Sequence, residues 1–251
     1  MISAEFKKNN CKYKIYNDNC YNLKKYNFKC DLAIIDPPYE LLNSGGGQCE
    51  ISQRIRKRDE KIKTLSNGFD LSIFDLISEK QNKVNIFCFC SEKQLFKLLN
   101  YAEDKKLLYN ILIWQKINPP PLVNNTFLPD TEYCVYMRDR GVKLNSNYED
   151  GRKVYTSEIN IKDKEKFGHP TIKPIPLLNK LVRLASNKND TILDCFMGSG
   201  STCISALKLK RNFIGIEIET KYFNIAKKRI ENEINNNSII DYIQEGKKNE
   251  N

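Results

Sequence analysis

"ILDCFMGSGSTCISALKLKRNFIGIEI", residues 192–218, is the stretch on which the fold turns. An apolar run ends on Asp194, a short glycine turn follows, a helical pattern begins at Ser201, and a second apolar run closes on Glu217. That order predicts a strand, a tight turn, a helix and a second, parallel strand. Gly198 and Gly200 form a Gly-x-Gly, whose bare backbone can approach a nucleoside-like ligand. Glu217, nineteen residues beyond Gly198, stands where an acidic side chain can hold ribose hydroxyls. The third position of a dinucleotide fingerprint is Cys203, and no lysine precedes Ser201-Thr202, which excludes a phosphate-cradling P-loop. Asp194 places a further carboxylate beside the ligand. It would repel a pyrophosphate and welcome an amino or sulfonium group, which tilts the ligand from a nicotinamide dinucleotide toward S-adenosyl-L-methionine. A Gly-x-Gly alone also suits a tight turn that binds nothing.

Outward from this unit, short apolar runs alternate with helical patterns. Strands are predicted at 12–16, 31–36, 84–90, 108–116, 132–138, 190–196 and 212–218, and helices at 72–81, 91–106, 174–186, 201–210 and 220–234. Such alternation implies an α/β protein with a mainly parallel twisted sheet covered by helices on both faces. No repeat or clean linker interrupts it, so residues 1–243 are expected to form a single domain and 244–251 a disordered tail. Segments 40–68 and 139–168 are polar, glycine-containing and longer than ordinary connections, which makes them candidate binding loops. Trp114, the single tryptophan, is expected in the core.

The 251 residues are 40% hydrophobic and 29% charged, an ordinary globular balance. The longest apolar runs fall far short of the ~18 residues that span a bilayer, and the amino-terminal stretch lacks the apolar centre of a signal peptide. A cytoplasmic protein without a membrane partner is expected. Nine cysteines at irregular spacing, with His169 the sole histidine, give no zinc pattern; they read as reduced, mostly buried thiols, and no metal is expected. The net charge of +10 favours a polyanionic partner. "QRIRKRDEKIK", residues 53–63, concentrates six basic residues against two acidic ones.

A second stretch stops a strand in an unusual way. "CDLAIIDPPYE", residues 30–40, runs apolar as far as Ile35 and then meets two prolines. Pro37 and Pro38 fix φ and remove two amide donors, so the strand cannot continue its ladder. Asp36, ahead of a proline, is held extended. A rigid projection results at a strand's carboxyl end, where open α/β sheets place their ligands. A carboxylate, carbonyls left out of any ladder and the Tyr39 ring suit a planar ring bearing an exocyclic amine.

"DPPY" at 36–39, "HPTIKP" at 169–174 and "DCFMGSGST" at 194–202 together resemble the S-adenosylmethionine-dependent amino DNA methyltransferases. With the tetrapeptide ahead of the glycine turn, the chain is similar to the circularly permuted β class of that family, and the resemblance covers residues 12–230. It implies a Rossmann-like methyltransferase fold acting on the N6 amine of adenine in double-stranded DNA. Asp36, Pro37, Pro38 and Tyr39 would then be catalytic. The cofactor would be held by Asp18, His169, Thr171, Lys173, Asp194, Phe196, Gly198, Gly200, Ser201, Thr202 and Glu217, with Asp18 near its adenine and Lys173 near its carboxylate. Asn17 stands where other members often carry glycine, and the stretch between DPPY and HPTIKP is short for a separate recognition domain.

On this reading the carboxylate of Asp36 and the carbonyl of Pro37 accept the amine's hydrogens, while Tyr39 stacks on a base turned out of the duplex. Arg54, Arg56, Lys57 and Arg58 would neutralise phosphates; Arg152 and Lys153 are candidates for reading bases. The alternatives are a cytosine-N4 enzyme, an RNA substrate, a DNA-binding subunit without catalysis, and a nicotinamide-dependent oxidoreductase. A homodimer and a cognate restriction nuclease stay open as partners.

Overall fold

The computed structural model describes residues 2–8, 10–40, 68–119, 127–159 and 172–248, with side chains described as far as residue 235. Along the chain run β1 (Ile2–Lys8), β2 (Cys11–Asn17), a 3-10 turn (Cys20–Lys25), β3 (Leu32–Ile35), α1 (Ser72–Ser78), β4 (Asn85–Cys90), α2 (Glu92–Asp104) and β5 (Leu108–Lys116). They are followed by β6 (Thr131–Arg138), β7 (Val154–Ser157), α3 (Ile175–Ala185), β8 (Thr191–Asp194), α4 (Ser201–Lys208), β9 (Asn212–Glu217) and α5 (Thr220–Lys248).

All these strands join one sheet in the order β1-β2-β9-β8-β3-β4-β6-β5-β7. The run from β2 through β9, β8 and β3 to β4 is parallel, while β1 and β6 run against their neighbours. β5 and β7 recover the parallel direction beyond β6. The carboxyl ends of β3, β4, β5, β8 and β9 therefore share one edge, and the amino-terminal end of β6 meets it there.

The centre of the sheet shows why its strands are so apolar. Every side chain of β3 and β4 is buried, as expected of parallel strands covered on both faces. The pleat divides them between two cores. Leu32, Ile34, Phe87 and Phe89 pack with residues of α3, α4 and α5, whereas Ala33, Ile35, Ile86, Cys88 and Cys90 pack with α1, α2 and the 3-10 turn. Asn85 ties the lower ends together. Its amide donates to the carbonyls of Asp31 and Ala185, and its oxygen accepts from the Tyr136 hydroxyl. Trp114 is buried and donates its indole N–H to Ser157 Oγ at 2.9 Å. Eight cysteines among the described residues are buried free thiols.

Three features depart from the sequence expectation. β1 was not foreseen, because its apolar residues are diluted by charge; it pairs with β2 after Asn10, which adopts φ +63° as hairpin turns demand. Within the expected loop 139–168, residues 154–157 add a parallel edge strand to β5. The final helix runs to Lys248, so residues 244–248 of the expected disordered tail are helical. No proline falls after Thr220 and no glycine before Gly246, so the helical ladder has no early chemical stop.

Candidate active site

A cleft of about 470 Å³ opens at the carboxyl edge of the sheet, a volume suited to a nucleoside-sized ligand. It brings together Asp36, Pro37, Pro38, Tyr39, Lys173, Asp194, Phe196, Gly198, Ser201, Thr202 and Glu217 from the sequence-predicted set. Gly200 lies one residue from this lining and shapes it from behind. Asn19, Cys20, Tyr21, Phe69, Glu132 and Tyr222 are among the other residues of its walls.

The cofactor half is built by backbone geometry. β8 ends on Asp194, whose Oδ1 accepts the Phe196 amide at 3.1 Å. Gly198 and Gly200 take φ of +53° and +81°, the left-handed region that L side chains avoid. A side chain on Gly200 would also meet Ala226 of α5, only 3.1 Å from the position of its Cβ. Glu217, at the end of β9, accepts the Gly198 amide at 2.7 Å with Oε2 and the Glu219 amide at 2.8 Å with Oε1. The acidic residue thus cross-braces the turn it faces. Asn17 donates to the carbonyls of Glu217 and Ile218 and locks the same corner.

Burial pushes the Asp194 carboxyl up to about 7, against hydrogen bonds from Thr202 and the Phe196 amide that favour its ionised form. The nearby charges of Asp36 and Glu217 add to that rise. Among the described residues, five carboxyl groups line the cleft, those of Asp36, Glu132, Asp194, Glu217 and Glu219, against the single lysine Lys173; they make a poor bed for a pyrophosphate and a good one for a cationic ligand.

The DPPY half is anchored from below. Gln94, buried near the start of α2, donates to the Pro38 carbonyl at 2.9 Å, and Ser91 Oγ donates to the Glu40 carbonyl at 3.1 Å. Ser91 and Gln94 form a capping box, so a helix start and the turn are one hydrogen-bonded unit. The carbonyls of the turn stay out of the sheet ladder, as expected, but one of them meets a side chain. Pro38 is engaged by Gln94, while the Pro37 carbonyl accepts no hydrogen bond among the described residues.

Lys173 lines the cleft and is engaged by two carboxylates. Its ammonium, 6% exposed, lies 2.6 Å from Asp36 Oδ2 and 3.1 Å from Glu132 Oε2, with the Tyr39 and Phe89 rings 5.2 and 4.9 Å away. Glu132 Oε1 meets Lys116 at 2.9 Å, and the Tyr39 hydroxyl donates to Glu132 Oε2. Burial opposes the Lys173 charge, but Asp36 and Glu132 outweigh it and raise the ammonium above its usual range. Burial also works to raise Glu132, yet Lys173 and Lys116 overcome it and hold the carboxyl down to about 2. For Asp36 burial prevails: with help from Glu132 it lifts the carboxyl above the ordinary range despite Lys173.

Asp18 is outside the cleft lining. Its carboxylate accepts from the Tyr26 hydroxyl at 2.6 Å, from Asn22 at 2.7 Å and from the Asn19 amide at 2.8 Å. It organises the 3-10 turn that presents Asn19 and Tyr21. Arg152 and Lys153 precede β7, at the end of the strand away from the cleft, and neither lines the cleft. Lys153 gives its carbonyl to the Ile113 amide, and Arg152 packs over Tyr148. His169, Thr171, Arg54, Arg56, Lys57 and Arg58 lie outside the described residues.

Glu132 and Gln94 escaped the sequence reading. Gln94 had a signal in the spacing Ser-x-x-Gln before a helix. Glu132 had a fainter one, an acid at the mouth of an apolar strand.

A family profile described as DNA methylase matches residues 30–228. The chain is 34% identical over 227 residues to the type II methyltransferase M2.DpnII of Streptococcus pneumoniae, covering 81% of this chain and 83% of that one. Its identity to the type II methyltransferase M2.LlaDCHI of Lactococcus lactis subsp. cremoris is 32% over 223 residues, with 80% and 81% covered. Among solved structures, the M1.HpyAVI–SAM complex superposes with a TM-score of 0.66 at 26% identity, over 86% of this chain and 99% of that one. The cytosine-N4-specific PvuII DNA methyltransferase shares the fold, with a TM-score of 0.62 at 14% identity. With the profile spanning most of the chain and a cleft that unites its sequence motifs, this protein belongs to the DNA methylase family.

Proposed function

We propose that this protein transfers a methyl group from S-adenosyl-L-methionine to the exocyclic N6 amine of adenine within a specific sequence of double-stranded DNA. The observation that carries this reading is the meeting, in one cleft, of the Asp36–Pro37 acceptor pair with the glycine turn braced by Glu217. A solved relative at 26% identity holds S-adenosylmethionine, and the carboxyl-rich cleft fits a ligand that carries sulfonium and ammonium charges. When bound, the cofactor supplies a methyl on positive sulfur, and the carbon–sulfur bond breaks with its electron pair passing to sulfur.

The chain's residues prepare the acceptor. Asp194 and Glu217 hold the cofactor's charged and hydroxyl groups, and Gly198 and Gly200 let the backbone pass close to it. Ser201 and Thr202 begin α4 at the same turn. Asp36 and the Pro37 carbonyl accept the two hydrogens of the amine, which turns its lone pair out of the ring plane. Extracting the base from the duplex costs a few kcal/mol, which stacking on Tyr39 partly offsets. Once the nitrogen–carbon bond has formed, the nitrogen carries one proton too many, and Asp36 is placed to take it.

The same reading assigns residues 1–243 to a single catalytic domain and the basic run at 54–58 to phosphate contact. It places the protein in the cytoplasm, in keeping with the absence, among the described residues, of a helix long and apolar enough to cross a membrane. A second copy of the chain and a cognate nuclease are the partners to test.

The test is modification mapping of DNA from a methylation-deficient bacterial host expressing the wild type or Asp36→Ala. N6-methyladenine at one short motif, absent with the variant, is the expected result. N4-methylcytosine would overturn the choice of base, and a modification that survives Asp36→Ala would overturn the role of the turn.

A further inference from the structure

Lys116, Glu132, Lys173 and Asp36 form a chain of alternating charge, 2.9, 3.1 and 2.6 Å from link to link. It runs from β5 through β6 to the segment ahead of α3 and ends on the tip of β3. Only its last two members fall within motifs that the sequence singled out. Lys173 cannot drift far, being enclosed by the Tyr39 and Phe89 rings.

We infer that Glu132 is a positioning residue for methyl transfer: by sharing the Lys173 ammonium with Asp36, it sets how strongly the Asp36 carboxylate can draw on the reacting amine. The inference rests on the reading in which Asp36 accepts the amine's hydrogens. A carboxylate that has an ammonium 2.6 Å away wholly to itself is a weaker base toward the amine's hydrogen. One with no cation beside it, buried next to a second carboxylate, would take up a proton and cease to accept at all. Glu132 holds the system between these limits. Its Oε1 is satisfied by Lys116, and its Oε2 receives both Lys173 and the Tyr39 hydroxyl. The proton released by the amine as the nitrogen–carbon bond forms passes to Asp36 and from there to solvent, with Lys173 remaining charged.

Other groups face Asp36 from the packed elements. Asp194 on β8, Cys88 and Cys90 on β4, Cys134 on β6 and Tyr39 on its own turn all interact with it electrostatically. Burial raises Tyr39 and the three thiols well out of the neutral range, and Asp194 serves as the common background in every variant.

The experiment is kcat against pH, with tritiated S-adenosylmethionine and plasmid DNA from a methylation-deficient host, for wild type, Glu132→Gln, Lys173→Gln, the double variant and Asp36→Asn. Cofactor affinity by calorimetry and melting temperature accompany each profile. Glu132→Gln leaves Lys173 wholly on Asp36, so the acidic limb should move down by about one pH unit. Lys173→Gln removes the one cation in contact with Asp36 among the described residues, and the limb should move up by about one to three units. The double variant should fall between the two. Should Glu132→Gln fail to fold, Lys116→Gln replaces it: freed of Lys116, Glu132 draws harder on Lys173, and the limb should move up. A Glu132→Gln profile that superposes on wild type, or single variants that shift together, would overturn the inference. Wild-type activity in Asp36→Asn would overturn the underlying reading instead.

Discussion

Asp194→Asn isolates the energetic cost of keeping a carboxyl group under the glycine turn. The side chain is 3% exposed, and burial raises its carboxyl from 3.8 to about 7. Asparagine preserves the oxygen that accepts the Phe196 amide and cannot ionise. Because the folded-state value lies above the unfolded one, the folded protein keeps its proton across a range where the unfolded chain has lost it. The stability contributed by that proton is fully present below pH 4 and disappears as the pH rises through 7. At roughly 1.4 kcal/mol per unit the loss amounts to about 4 kcal/mol between pH 4 and 8. The variant lacks this loss. Urea unfolding of wild type and variant at pH 5 and pH 8 should therefore show a gap that widens with pH by about 3 kcal/mol, equivalent to roughly 10 °C in melting temperature for a chain this long. Parallel pH dependences in the two proteins would refute the buried, raised carboxyl. With S-adenosylmethionine present the ranking should narrow or reverse, because the wild-type carboxylate regains a cation and asparagine offers it none.

Two further outcomes are expected. Gly200→Ala, which imposes a left-handed backbone on a side chain and presses it on Ala226, should cost about 1–2 kcal/mol of stability and more than tenfold in cofactor affinity, read by calorimetry; an unchanged affinity would mean that the turn does not touch the ligand. Replacing Arg54, Arg56, Lys57 and Arg58 by alanine should weaken DNA binding and reduce the log–log salt slope by about 3.6, at ~0.9 per phosphate contact, while cofactor affinity holds. An unaltered slope would remove the run from the DNA interface.

Local pattern accounts for what the sequence revealed. β3 and β4 are short apolar runs closed by chemistry that stops a strand, and the glycine turn between β8 and α4 declares its own backbone. The weaker elements were hidden because their residues answer to partners elsewhere. β1 and β7 are edge strands whose polar side chains carry no periodic signal, and each exists through pairing with β2 or β5. The catalytic edge shows the same divide. Asp36 and Lys173 were each visible as motif residues, yet they are 137 positions apart in the chain, and only the folded sheet makes them an ion pair. Asp18 shows the converse: a residue expected beside the cofactor, its carboxylate is engaged in organising its own turn.

The reversed direction of β6 carries a consequence for how such a protein can change its target. Because β5 runs toward the cleft and β6 returns from it, the chain between Lys116 and Thr131 begins and ends at the rim where DNA must arrive. Ile117, Phe127 and Leu128 are exposed on that rim. Residues can be added there while the hydrogen-bond register of the hairpin stays untouched, and doubling a connection's length costs only about 0.6 kcal/mol. The sheet thus keeps its chemistry on strand ends that cannot vary and offers evolution a hinge point beside them, where new contacts to a base sequence can be tried without reopening the core.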